Sequence, residues 1–592
     1  MRFPSARNAS CLLVGLFAFT SASSFALAND DPDYLVGSPS SIALNTQDED
    51  PEAGSVETGT GLALSPIEET SIARDPFSTG LLEAGESEFD GALWKTANAD
   101  ALSLLLDEID ARPSLPGLGT LFRDVLLTNG SAPTDATSTP TRSLGGQKLL
   151  LLAAAGYTEE VRTIASISNA STTDPWVGQA LAVADLLDGN VDEACLRNAQ
   201  LRDGRDASFW VQLRVVCYAV NEKYDAADLT LKILREQGRL ASDDEALLEA
   251  ISIPAPLKEP IGARNGLQLA IVKALGPTEE VTISPHATVG VLKAVAKSDD
   301  FSSAARADAA IRAAASGLMT TQELAGLYDV LPVEGDVELA RAQIDDAPFD
   351  PLTDVLVYKS VELMAAPDFV RDRSALIAAA INAAPSFDRA FALVTVFADE
   401  IADFDGIIVS TDEAAAFALA AMAQGDTQRA SQWMLSMLGG GLATLDDETA
   451  TRFLELNGLL ALLDPISGGA VAAAANVELS EPRAHLSPPG ADENRDRLAD
   501  LVQAAIGAVD RKSQGQAALA TLALHEMDYR GDPVANVAAN AVLKSAGLNQ
   551  AARTVAFQKA WRGLYPEPVD APVSVTQPRE DRGMTPRLKP NN

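Results

Sequence analysis

The sequence predicts an all-α fold, an irregular solenoid of short α-α hairpins, and three observations carry that prediction. From Leu93 onward Ala, Leu, Asp and Glu dominate, and the β-branched alternation that marks strands is scarce. Polar punctuation recurs about every 12 to 20 residues, the length of a short helix and its turn. Apolar stripes at helical spacing also repeat: Trp176 and Trp210, 34 residues apart, each open one.

The chain begins with Arg2 and Arg7, an apolar run from Cys11 to Phe19, and the small-residue ending Ser24-Phe25-Ala26-Leu27-Ala28. These are the three parts of a secretory signal peptide, with cleavage expected after Ala28. The expected location is therefore exported, periplasmic or secreted. Cys11 opens the apolar run instead of following it, so lipid attachment is not expected. No later stretch offers about eighteen uninterrupted apolar residues, so no transmembrane helix is expected in the mature chain.

Residues 29–90 hold 15 acidic residues against the single Arg74, with much Ser, Gly, Thr and Pro. Such a segment buries too little to offset its ordering entropy and reads as a disordered acidic leader. The whole chain has a net charge of −38, and loss of Arg2 and Arg7 with residues 1–28 makes the mature value −40. That balance argues against a nucleic-acid partner, which requires clustered Lys and Arg to neutralise phosphates.

Residues 91–251 form the block with the clearest repeat. One stripe runs Trp176, Ala180, Val183, Leu187 and the next Trp210, Leu213, Cys217, Val220. Each is followed by a turn frame: Gly or a polar residue, an apolar residue two positions on, and a small residue five positions on. It reads Gly189, Val191, Ala194 and then Glu222, Tyr224, Ala227, with looser copies at Asp299, Phe301, Ala304, at Gly335, Val337, Ala340, and around Gly156, Gly425 and Gly547. The first position suits a left-handed helix cap, and the small residue lets the second helix approach the first. Trp176, Trp210, Tyr224, Gly189, Ala194 and Ala227 are accordingly the expected packing anchors.

On these residues the block resembles a tetratricopeptide-type helical repeat, whose period is about 34 residues. The match is partial, since Arg214 stands where the family places glycine. The chain also resembles Ala-rich exported helical proteins of alphaproteobacteria, a resemblance that implies no particular activity.

A proline-rich joint, residues 252–262, leads to a solenoid continuation at 263–463. Residues 464–494, with Asp464-Pro465, Gly468-Gly469 and Pro488-Pro489-Gly490, read as a long loop. A terminal helical block follows at 495–565, and 566–592 reads as a disordered Pro-rich tail.

Two cysteines remain after cleavage, Cys195 and Cys217. An oxidising compartment favours a disulfide between them, worth about 3 kcal/mol for a 22-residue loop; the alternative is two buried thiols. No catalytic, cofactor or metal site is assigned. His286, His485 and His525 lie far apart, and His525-Glu526 begins like a zincin motif but continues to Tyr529-Arg530 where the second histidine belongs. Acidic clusters at Asp48-Glu49-Asp50, Asp243-Asp244-Glu245 and Asp345-Asp346 read as solvated faces among 83 acids.

The expected function is an exported scaffold that binds a protein or peptide partner in the cell envelope, with no catalytic activity of its own and no cofactor, because stacked hairpins expose a long concave groove. The alternative is a cell-wall or peptide hydrolase using a carboxylate pair.

Overall fold

The computed structural model describes residues 75–83, 85–134, 143–168, 170, 174–238, 240–253, 261–276, 283–404, 407–439, 441–477, 495–529 and 533–565. All lie in the unit Ser71–Asn592. The predicted signal peptide, the leader as far as residue 74, residues 478–494 and the tail lie outside them.

The described residues form an all-α body whose only β pairing is an isolated bridge between Leu82 and Thr128. It opens with α1 (Ala99–Glu108) and α2 (Pro116–Leu127). Hairpins α3 (Leu144–Ala154) with α4 (Thr158–Ile167), α5 (Pro175–Leu187) with α6 (Val191–Gln200), and α7 (Ser208–Val220) with α8 (Tyr224–Glu236) follow. Then come α9 (Ser242–Ser252), α10 (Gly266–Leu275), α11 (Val289–Lys297), α12 (Ser303–Ala315), α13 (Thr321–Val330), α14 (Val337–Asp346) and α15 (Pro351–Leu363). The next group is α16 (Val370–Ala383), α17 (Phe387–Val396), α18 (Ala398–Ala402), α19 (Thr411–Ala423), α20 (Thr427–Met437), α21 (Asp447–Leu463) and α22 (Pro465–Ala475). The last four are α23 (Arg495–Arg511), α24 (Gln514–Tyr529), α25 (Pro533–Ser545) and α26 (Asn549–Arg562).

Local chemistry accounts for many of the boundaries. Asp174-Pro175, Asp350-Pro351 and Asp464-Pro465 start α5, α15 and α22 in one way: the aspartate carboxylate accepts from the N–H two residues on, at 2.9 to 3.0 Å, and proline takes the first helical position. This corrects the reading of 464–494 as loop throughout. Asp464-Pro465 is a helix start, and the Ala-rich run behind it propagates as α22.

The turn frame is a helix-ending motif. Gly156, Gly189, Glu222, Gly425 and Gly547 all have positive φ, and the N–H of the residue after each reaches back five positions to a carbonyl, as Asn190 does to Asp185 at 2.8 Å. That is a Schellman cap. The residue five positions after each cap residue is buried: Val161, Ala194, Ala227, Ala430 and Ala552. A sixth copy, Lys512 with φ 55°, precedes Gln514 and buried Ala517. The copies proposed at Asp299 and Gly335 are not of this kind, because Ser302 and Asp336 open α12 and α14 as side-chain N-caps.

Two classes of helix result. α3, α5, α10, α12 and α19 are buried nearly all round, whereas α4, α6, α8 and α14 bury one narrow stripe. The inner helices stack on one another, α3 on α5, α5 on α10 and α12 on α17. α10 and α11 cover part of the inner face of the hairpins: Gly290 of α11 sits against Ala154, Gly156 and Leu187, and Gly266 of α10 against Val183 and Leu187. At these positions the inner helices of the hairpins pack on α10 and α11.

The body also closes on itself. α24 packs on α1 and α2, and α26 packs on α2 and α21. Gln558 Oε1 accepts from the Gly117 N–H at 2.6 Å, and Trp561 meets the rings of Phe387, Phe391 and Phe557.

Residues 75–83 and 85–90, assigned to the leader by composition, belong to this body. Phe77 is fully buried with its ring 4.8 Å from that of Trp94, and Leu81 and Leu82 donate to the Leu127 carbonyl. Lys148 Nζ donates to the carbonyls of Phe77 at 3.0 Å and Thr79 at 2.6 Å. A few large apolar side chains order the segment despite its acidic average.

Candidate functional site

The hairpins α3–α8 hold the residues singled out by the repeat. Cys195 on α6 and Cys217 on α7 are joined as a disulfide, with a Cα–Cα distance of 5.6 Å. The bond ties the outer helix of one hairpin to the inner helix of the next. Trp210 is buried, edge-on to Phe209 at 5.1 Å, and its carbonyl accepts from Asn198 Nδ2 at 2.8 Å. Trp176 is half-buried, its Cβ laid over Gly146, which leaves no room for a side chain there. Ala194 and Ala227 are buried at the helix crossings, and Gly189 takes the left-handed cap at φ 81°.

Tyr224 departs from its expected role. It is 40% exposed, because as the first residue of α8 it projects beyond the crossing that Ala227 occupies.

The same block presents apolar side chains to solvent. Leu196 on α6 and Leu229 on α8 are 50% and 61% exposed, and Ile167 on α4 and Ile233 on α8 are 48% and 44% exposed. Leu196 and Leu229 are 33 residues apart, one repeat, and Ile167 and Ile233 are 66 apart, two repeats. On α8 they stand opposite Ala227, Leu231 and Leu234, which bury against α7 and α9, so the helix carries two apolar stripes where packing uses one. Exposed acids flank them at Asp192, Glu193, Glu222, Asp225 and Glu236, alongside exposed Lys223 and Lys232. Aligning the repeat on its cap residue makes this second stripe visible in the sequence.

Two buried carboxylates, Asp185 and Asp354, face arginines. Asp185 of α5 takes Arg162 Nη2 at 3.1 Å and Arg197 Nε at 2.5 Å, clamping α4 and α6 to it. Asp354 of α15 pairs bidentately with Arg389 of α17, its Oδ2 2.9 Å from Nε. Burial pushes Asp354 above the usual carboxylate range while Arg389 pulls the other way. Asp243, Asp244 and Glu245 hold neighbouring helices, through Arg264 at 2.8 Å, Gln268 at 2.6 Å and Arg235 at 2.6 Å. Asp345 and Asp346 are exposed, and Asp48-Glu49-Asp50 lies outside the described residues.

Of the histidines, His485 lies outside the described residues. His525 is buried in α24, its Nε2 without a hydrogen-bond partner, and burial pushes its pKa down to about 3. His286 is exposed and touches Arg112. Among the described residues no three His, Cys, Asp or Glu side chains converge to hold a metal ion, and no helix is long and apolar enough to cross a membrane.

No protein-family model matches this chain, and no curated protein or solved structure matches it either.

Proposed function

We propose that the chain is an exported helical-repeat scaffold that binds a protein or peptide partner in the cell envelope, with no catalytic activity of its own. The observation that carries this reading is the second apolar stripe of the outer helices, Ile167, Leu196, Leu229 and Ile233, at repeat-equivalent positions that the fold leaves uncovered. Isolated exposed leucines need no explanation, but recurrence in register does. Acids around the stripe and a net charge of −38 favour a partner segment with apolar residues flanked by Lys or Arg. The Cys195–Cys217 disulfide and the N-terminal signal pattern support the exported compartment. With α10 and α11 packed on the inner helices of these hairpins, the outer helices offer the binding surface.

The test is a titration of folded protein with basic, apolar helical peptides, comparing wild type with the triple variant Leu196→Glu, Leu229→Glu, Ile233→Glu. All three side chains are already exposed, so the variant should keep its melting temperature within about 2 °C while affinity falls at least about tenfold. Equal affinity in both proteins, or a peptidoglycan-clearing band in a zymogram that depends on one carboxylate, would overturn the reading.

A further inference from the structure

In a chain with 83 acids and 45 bases, several arginines gather at one rim of the body. The loop before α11, residues 283–288, meets arginines from three separate segments, and a fourth arginine bonds close by one of them. Arg112, between α1 and α2, places Nη1 2.7 Å from His286 Nδ1. Arg312 of α12 donates through Nη2 to the Ser284 carbonyl at 2.7 Å. Arg264, just before α10, accepts at its own carbonyl from the Thr288 N–H at 2.9 Å, and the Val289 N–H donates to the Ala111 carbonyl at 3.0 Å. Arg562 of α26 donates to the Ser114 carbonyl at 2.6 Å, two residues from Arg112.

Carboxylates pair with this group, among them Asp243 on Arg264 at 2.8 Å, Asp308 on Arg312 at 3.4 Å, and Asp388, which feels Arg312 and Arg562. None of the three bonds His286. A guanidinium has donors only, so His286 Nδ1 must accept from Arg112, which fixes the neutral tautomer and leaves the proton on Nε2. An exposed N–H donor therefore stands beside guanidiniums, two of which also hold carboxylates. Partial desolvation and then Arg112, Arg264 and Arg312 together hold the imidazole below the usual histidine range, the mark of a positive local field.

We propose that this rim, formed by Arg112, Arg264, Arg312 and His286, binds a phosphate-class oxyanion, with His286 Nε2–H and the guanidinium edges as donors. Planar forks and a neutral imidazole N–H suit a multidentate oxyanion better than a single-point anion such as chloride. The site belongs to the other side of the chemistry from the outer apolar stripe and does not depend on it.

The chain has only three histidines, so ring ¹H–¹⁵N spectra resolve His286 against a His286→Gln reference. Titration with inorganic phosphate at constant ionic strength should give a saturable shift of the His286 ring signals, with half-saturation at or below about 1 mM, a few kcal/mol of binding. Chloride should give none. Arg112→Gln should weaken phosphate about tenfold, and Arg112→Lys should restore only part, because charge returns without the fork. A second arm uses phosphatidylglycerol vesicles against phosphatidylcholine vesicles. A shift with free phosphate assigns a soluble anion, and one with phosphatidylglycerol alone assigns a lipid headgroup. A non-saturating response to every phosphate probe, an equal response to chloride, or full affinity in a folded Arg112→Gln protein overturns the site.

Discussion

Lys148 has no exposed surface, yet its ammonium is the group that ties residues 77–79 to α3. Burial pulls its pKa down from the ordinary 10.5 to about 7, against a smaller opposing pull from Asp75. Between those two values the unfolded chain binds more protons than the folded one, so stability from this group rises with pH through that window, and below pH 7 the cost of the buried charge is fully present. Urea unfolding at pH 7, 8 and 9 should show wild type gaining on Lys148→Met by up to about 1.4 kcal/mol per pH unit. Parallel curves would mean that the two carbonyls keep Lys148 charged throughout. The role of Lys148 was not legible in sequence, where it is a lysine in a leucine-rich helix. The carbonyls it serves come from about 70 residues away, in a segment whose average composition argues for disorder. Trp210 was legible, since a large aromatic at the head of an apolar stripe has one obvious use. Trp176 shares that pattern but ends half-buried over Gly146, because the stripes match while the neighbours differ.

Hairpin corners are where the local code is strongest. Schellman geometry needs a left-handed residue at a fixed offset from the next helix, and the chain supplies glycine at most copies but Glu222 and Lys512 at two, with φ of 58° and 55°. A side chain in that conformation costs about 1 to 2 kcal/mol, partly returned by its lower unfolded-state entropy relative to glycine. Glu222→Gly should therefore raise stability by about 0.5 to 1 kcal/mol, read as a higher melting temperature. The converse change, Gly189→Ala, should lower it by a similar amount. A Cβ on Gly189 meets no atom within 4 Å, so that variant isolates backbone strain from packing. If both variants melt with the wild type, the caps do not limit stability. The frame's Ala positions, Ala194 and Ala227, follow from the same geometry. The apolar position between does not: Tyr224 sits one turn too early to reach the crossing.

Closure is a property of the whole body. An open solenoid confines the effect of a substitution to its own repeat and the next. Here α26 lies against α2 and α21, with Trp561 fully buried among Phe387, Phe391 and Phe557. Trp561→Ala should cost about 3 to 5 kcal/mol and raise hydrogen exchange in α2, more than 400 residues away in sequence, as well as in α26. Exchange confined to α21–α26 would indicate an open array.

By itself the sequence determined the helical class, the hairpin rhythm, the corner chemistry and the two cysteines available for pairing, because periodicity, capping and spacing act within about a dozen residues. Only the tertiary structure decided that α10 and α11 pack on the inner helices, that residues 75–83 and 85–90 belong to the body, and that α1 and α2 meet α24 and α26. Those outcomes depend on which apolar stripe finds which partner, and a helix with two stripes, such as α8, does not say in its own sequence which one the fold will bury. The same limit hid the arginine rim: Arg112, Arg264, Arg312 and Arg562 are scattered over 450 residues and converge through packing alone.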